Sequence, residues 1–236
     1  MTRNGVLIRS IDTVYDGDEI ILRLEDSSFL EPNGNLHVAI AYEDENIVIF
    51  NKPSGMPVHP SIKHQGDTLG NYFAHLYPSL TFRPINRLDS DTSGLCAVAK
   101  NAHCANKLQG NIEKVYYAAA EGLIDEKGTI DAPIARQQES IITRCVRADG
   151  QSAVTHYERV YYNDRFSFAE IHLETGRTHQ IRVHMAYMGH PVIGDPVYGN
   201  PKHSLGLRGQ CLFAEYISFT HPITGEIMSF GAELPD

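Results

Sequence analysis

Apolar residues in this chain gather in short runs more often than they recur at helical spacing. Val6-Leu7-Ile8 and Ile20-Ile21-Leu22-Arg23-Leu24 are two such runs near the N-terminus, the second entered from an Asp16-Gly17-Asp18 turn. Residues 47–50, 95–99, 115–118 and 153–161 carry further runs of strand character. Residues 166–173 alternate apolar with polar or small side chains, the period of a strand buried on one face. Helices are fewer: residues 68–76 and 102–109 predict two. A third has the fullest end signals, with Thr178 as N-cap, residues 179–188 as body, Gly189 just past the end and Pro191 beyond. Strands dominate and do not alternate strictly with helices. That predicts an α+β fold on a large mixed or mainly antiparallel sheet with flanking helices.

The 236 residues, 42% hydrophobic and 21% charged, suffice for a sizeable core. Glu31-Pro32-Asn33-Gly34-Asn35 reads as a linker, so a short N-terminal β segment over residues 1–35 and a main domain over residues 36–236 are expected. The net charge of −9 argues against a broad nucleic-acid-binding surface. The imbalance is local, however. Residues 1–50 hold three Arg against ten Asp and Glu, so the remainder is nearly neutral and has room for a basic cleft. With no bilayer-length apolar run and no charged-then-apolar leader, the expectation is a cytoplasmic protein without a membrane segment. Cys96, Cys104, Cys145 and Cys211 form no Cys-x-x-Cys pair and read as inert thiols, not disulfides or zinc ligands.

Two stretches concentrate Gly, polar and charged residues between apolar strands, where functional groups collect. One is Arg87-Leu88-Asp89-Ser90-Asp91-Thr92-Ser93-Gly94; the other is Glu174-Thr175-Gly176-Arg177-Thr178-His179-Gln180-Ile181-Arg182-Val183-His184. In the second, a helix start flanked by Arg177 offers free N–H groups and a positive dipole end to phosphate or carboxylate. Arg182 can fork onto a carboxylate and shares a predicted helix face with His179. A capped helix with ordinary surface ion pairs explains the same spacing equally well. His179 and His184 are five apart, off a common face, and no Glu follows His179, so no metal is expected. In the first stretch, Asp91-Thr92-Ser93-Gly94 has one residue more than the aspartic-protease Asp-Thr-Gly, and no second copy occurs. On the residues alone, Asp89 and Asp91 serve as readily in a turn as in catalysis.

Taken in order, the motifs resemble the RNA pseudouridine synthases of the group acting on large ribosomal RNA and some tRNA, over nearly all of residues 37–236. Lys52-Pro53-Ser54-Gly55 with Val58-His59-Pro60 resembles the first motif, and Arg87-Leu88-Asp89 with Thr92-Ser93-Gly94 the catalytic one. Lys114-Val115-Tyr116-Tyr117-Ala118 is similar to the motif bearing the active-site tyrosine, and Ala153-Val154-Thr155 to a further strand. Residues 175–184, with Gly189-His190-Pro191, Gly194-Asp195 and Tyr198-Gly199, resemble the longest signature. Several ordered motifs make a specific signal where any one is weak. Two departures stand out: Asn86 where a His usually opens the catalytic motif, and Phe213 for the His of a Leu-His-Ala. The stretch from Asn4-Gly5 to Asp16-Gly17-Asp18-Glu19-Ile20 resembles the end of a small RNA-binding domain without its helices, and is expected to be its remnant.

The resemblance implies the pseudouridine synthase fold with a central catalytic cleft. It implies isomerisation of uridine to pseudouridine in rRNA or tRNA, with neither metal nor organic cofactor. Asp89 would act on the ribose as nucleophile or base. The target base must leave the stack, with Tyr116 stacking on it and Arg182 pairing with Asp89 to orient it. Arg87, Arg177, His179 and Lys114 would contact RNA, and Ile181 would wall the base pocket. A monomer is the simplest assembly. Two other function classes are distinguishable: a catalytically silent RNA-binding protein that kept the fold, and an aspartic hydrolase on Asp89 or Asp91.

Overall fold

A computed structural model describes residues 1–9, 11–21, 30–138, 140, 142–203, 206–207 and 209–234. In it, β1 (Thr2–Arg3) pairs antiparallel with β2 (Val6–Leu7) and β3 (Ile20–Ile21) in a small separate sheet. The run expected over residues 20–24 is seen as far as Ile21, and residues 22–24 lie outside the described residues.

Ten strands build the main sheet: β4 (Ala39–Glu43), β5 (Ile47–Lys52), β6 (Arg83–Pro84), β7 (Ser93–Ala99), β8 (Glu113–Glu121), β9 (Lys127–Asp131), and four more. After the ribbon β10 (Ile134–Arg136) and β11 (Arg144–Val146) come β12 (Val154–Tyr162), β13 (Phe166–Leu173), β14 (Leu212–Thr220) and β15 (Ile227–Gly231). The spatial order is β4-β5-β7-β14-β8-β13-β12-β9, with β6 on β7 and β15 on β14. Every pairing is antiparallel except that of β7 with β14, so the sheet is mixed and mainly antiparallel and the fold is α+β.

The two ends of the sheet are packed differently, and the sequence shows why. In β5, Ile47 and Ile49 enter one apolar cluster while Val48 and Phe50 enter another across the sheet, so an unbroken apolar run is covered on both faces. In β13 the alternation holds: Ser167, Ala169 and Ile171 are buried, and the residues between them are half-buried or exposed. Helix α1 (Leu69–Leu76) starts where expected, Thr68 and Asn71 forming a reciprocal capping box. Helix α2 (Ala102–Leu108) is capped by Asn101.

Helix α3 (Gln180–Tyr187) corrects one expectation. Its N-cap is His179, not Thr178, and His179 is left-handed at φ 59°. The cause is Gln180. Its Oε1 accepts the Arg177 N–H at 2.9 Å and the Thr175 hydroxyl at 2.8 Å, and its Nε2 donates to the Val154 carbonyl and the Thr155 hydroxyl. These bonds pin the preceding loop to β12 and leave Thr178 outside the helix. His179 therefore leaves the helical face that the spacing shared with Arg182.

Candidate active site

The loop joining β6 to β7 brings Arg87 and Asp89 to the middle of the sheet, and its backbone is held on every side. Asn86 is buried; its Nδ2 donates to the Leu95 carbonyl at 3.0 Å and its Oδ1 accepts the Ala97 N–H at 2.8 Å. Lys52 is 0% exposed, and its Nζ donates to three carbonyls, those of Pro53, Met56 and Ser90, at 2.9, 2.7 and 2.9 Å. Burial pushes its pKa down to about 8. Ser54 Oγ donates to the Asp91 carbonyl, and Gln210 Nε2 to Thr92 Oγ1. Beyond the loop, Gly94 at φ 108° lets β7 meet β14: a Cβ there would lie 2.2 Å from the Ala214 carbonyl oxygen.

Arg182, on the first turn of α3, is the electrostatic centre of the site. Its Nη1 donates to Asp89 Oδ2 at 2.7 Å, while Nε and Nη2 fork onto Asp195 at 2.6 and 2.8 Å. The Asp195 side chain is 0% exposed and that of Asp89 25%. Asp195 Oδ1 also accepts the N–H groups of Val197 and Tyr198 at 2.8 and 3.0 Å. Burial alone raises the pKa of Asp195, but the Arg182 fork and the two backbone donors outweigh it and hold it below the usual carboxylate range. Burial likewise opposes the charge on Arg182, and the two carboxylates outweigh it, raising its pKa. The guanidinium stands between the two aspartates, so they do not form the proton-sharing pair an aspartic hydrolase needs.

A cleft of about 920 Å³ opens over this centre, and all eight residues singled out from the sequence line it. Asp89, Arg182 and the buried Ile181 line it together. Tyr116 and Lys114 project from the same side of β8, two residues apart, and burial acts on both: it raises the Tyr116 pKa and lowers that of Lys114. Arg87 and Arg177 are exposed at the cleft, Arg177 donating through Nε to the Ser152 carbonyl at 2.9 Å. His179 points its Nε2 towards Asp89 Oδ1 at 3.9 Å. Burial, chiefly, lowers its pKa. His184 is elsewhere, fully buried between Thr155 Oγ1 and the Ala132 carbonyl. No group of three or more His, Cys, Asp or Glu placed to hold a metal occurs among the described residues, and no described helix is long and apolar enough to cross a membrane.

Lys52, Asp195 and Tyr198 lie within the motifs, but nothing in the pattern along the chain gives them a role. Each acts through contacts remote in the chain, such as Lys52 to Ser90 and Asp195 to Arg182. One signal was available, since a lysine closing the apolar run 47–50 has to find acceptors if its strand is buried.

Comparison with known proteins agrees on one family. The family of RNA pseudouridylate synthases matches residues 46–187. An uncharacterized RNA pseudouridine synthase of Bacillus subtilis, YlyB, is 39% identical over 99% of this chain and 81% of its own. Ribosomal large subunit pseudouridine synthase D of Haemophilus influenzae is 37% identical over 92% of this chain and 74% of its own. Among solved structures, human RNA Pseudouridylate Synthase Domain Containing 1 superposes with a TM-score of 0.69 at 26% identity, covering 88% of this chain and 86% of the other.

Proposed function

The chain belongs to the RNA pseudouridylate synthase family, and from that membership we propose how its cleft divides the work. The protein is an RNA pseudouridine synthase, an enzyme that isomerises uridine within RNA. The reaction breaks the N1–C1′ bond, turns the uracil and joins C5 to C1′; C5 loses a proton and N1 gains one. In our reading Asp89 is the carboxylate that acts on the ribose, Arg182 orients it, and Tyr116 stacks on the flipped base. Ile181 walls the base pocket. Arg87, Arg177, His179 and Lys114 meet the RNA around it, Arg87 and Arg177 being the exposed cations.

The observation that carries this reading is the 2.7 Å bond from a buried arginine to Asp89, a carboxylate one-quarter exposed in the cleft that Tyr116 also lines. The target we propose is ribosomal RNA, by analogy with the Haemophilus relative, with the cytoplasm as the compartment. A monomer is the proposed working unit, because one chain supplies every group named above. Residues 1–35 are acidic on balance and are read as contributing little affinity for phosphate. Unmodified large-subunit rRNA and tRNA transcripts, labelled with tritium at uracil C5, test the proposal. Tritium release from the rRNA, matched by pseudouridine formed, is expected. Release from tRNA alone would move the target, and release from neither would overturn the reading.

A further inference from the structure

Tyr198 stands behind the site, in the turn that Asp195 organises by accepting the Val197 and Tyr198 N–H groups. Its ring lies 5.2 Å from the Arg182 guanidinium and meets the His179 ring edge-on at 5.7 Å. Its hydroxyl oxygen accepts the backbone N–H of Arg144 at 2.8 Å and lies 2.9 Å from His179 Nδ1. A phenol has one hydrogen to donate, and with a backbone donor already on the oxygen that hydrogen is free for the imidazole. With that hydrogen given to His179 Nδ1, the ring proton of the neutral imidazole resides on Nε2.

Nε2 faces Asp89 Oδ1 at 3.9 Å, too far for a direct hydrogen bond. An oxygen at ordinary hydrogen-bond length, about 2.8 Å, from both atoms fits between them. That oxygen has to accept from His179 and donate to Asp89. A hydroxyl does both, and a uracil carbonyl cannot. The left-handed backbone of His179, which a residue with a side chain rarely adopts, takes the imidazole out of the helical series to this position.

We propose that Tyr198 fixes the tautomer of His179, making it an Nε2–H donor that holds a ribose hydroxyl of the flipped uridine jointly with Asp89. His179 touches substrate in this account and Tyr198 is a positioning residue. The inference rests on the functional reading above. It goes further in assigning the atom, the tautomer and the group recognised.

Two substitutions at His179 separate this role from a structural one. Asn tolerates the left-handed backbone better than Gln and can mimic Nδ1, so a structural role predicts that His179→Asn is the milder change. Gln alone can place an N–H near the Nε2 position. The proposal therefore predicts that His179→Gln keeps kcat/KM about tenfold or more above His179→Asn in tritium release from the rRNA transcript. Imidazole nitrogen NMR of the RNA-free protein supplies the second readout, independent of activity. The Nε2–H tautomer is expected in the wild type and a mixture in Tyr198→Phe. An Nδ1–H tautomer in the wild type, or His179→Asn matching His179→Gln, would overturn the inference. A wild-type enzyme that releases no tritium from rRNA or tRNA would instead overturn the underlying functional reading, and the NMR result would still decide the tautomer.

Discussion

Asp89 and Asp195 bind the same guanidinium, yet they are built for opposite purposes. Asp195 is sealed from solvent, takes two hydrogen bonds from Arg182 and two from backbone N–H groups, and has its charge fully answered. Asp89 takes one bond from Arg182, keeps a quarter of its side chain exposed and faces a cleft. A carboxylate whose lone pairs are all occupied is a poor reactant and a good strut. One oriented through a single oxygen keeps the other for a substrate. In the proposed assignment, proximity to Arg182 does not single out the reacting carboxylate; unspent hydrogen-bonding capacity does.

The sharpest way to break this comparison is to neutralise each aspartate in turn. Asp89→Asn is expected to lower kcat by at least about a thousandfold, within the range one essential acid–base group supplies, with almost no change in Tm. Asp195→Asn is expected to act first on stability. It leaves a buried guanidinium short of its counter-charge, at a cost of about 3–5 kcal/mol, which for a chain of this size lowers Tm by roughly 10 °C. The Asp195 pKa is depressed in the fold, so its stabilisation is present above the unfolded value of about 3.9 and fades as pH falls through the folded value. Acid denaturation followed by circular dichroism should consequently be shallower in Asp195→Asn than in the wild type.

Smaller effects sharpen the contrast on the Asp89 side. Tyr116→Phe is expected to cost a few-fold in kcat/KM and Tyr116→Ala about a hundredfold, because stacking on the base needs the ring more than the hydroxyl. Equal losses would assign proton transfer to the hydroxyl. Lys52 gives a signature in pH. Its pKa is about 8 in the fold against an unfolded value of about 10.4, so losing the proton relieves the cost of burying charge. Stability should rise between these two values. Activity should fall over the same interval, since a neutral amine has two hydrogens for three carbonyls and the Ser90 end of the loop carrying Asp89 loosens. Denaturant midpoints and kcat measured across that range check both directions.

The parts of this molecule legible in the sequence are those in which neighbours along the chain decide the outcome. The apolar run 47–50 reads as a strand, the alternating run 166–173 as a strand covered on one face, and residues 68–76 as a helix beginning at Thr68, and all three are found. The eight residues brought to the cleft came from ordered motifs, each within a few residues of a strand end or helix start. Where a distant contact decides, local pattern is silent, and the Arg182–Asp89 pair is expected only through the family resemblance. β14 lies at the centre of the sheet and joins its two halves, but Glu215 interrupts its apolar pattern where the ladder register shifts. Helix α3 begins after His179, not Thr178, because Gln180 bonds to β12, more than twenty residues away. The sharing of Arg182 between Asp89 and Asp195 joins residues 93 and 13 apart, beyond any local pattern.

The central claim is that Asp89 is the reacting carboxylate and Asp195 its scaffold. Single-turnover release of tritium from uracil C5 of the rRNA transcript, with wild type, Asp89→Asn and Asp195→Asn at equal folded concentration, tests it most directly. No release above background is expected from folded Asp89→Asn, and slowed but measurable release from Asp195→Asn below its lowered Tm. Release from Asp89→Asn at a rate comparable to that of the wild type would contradict it.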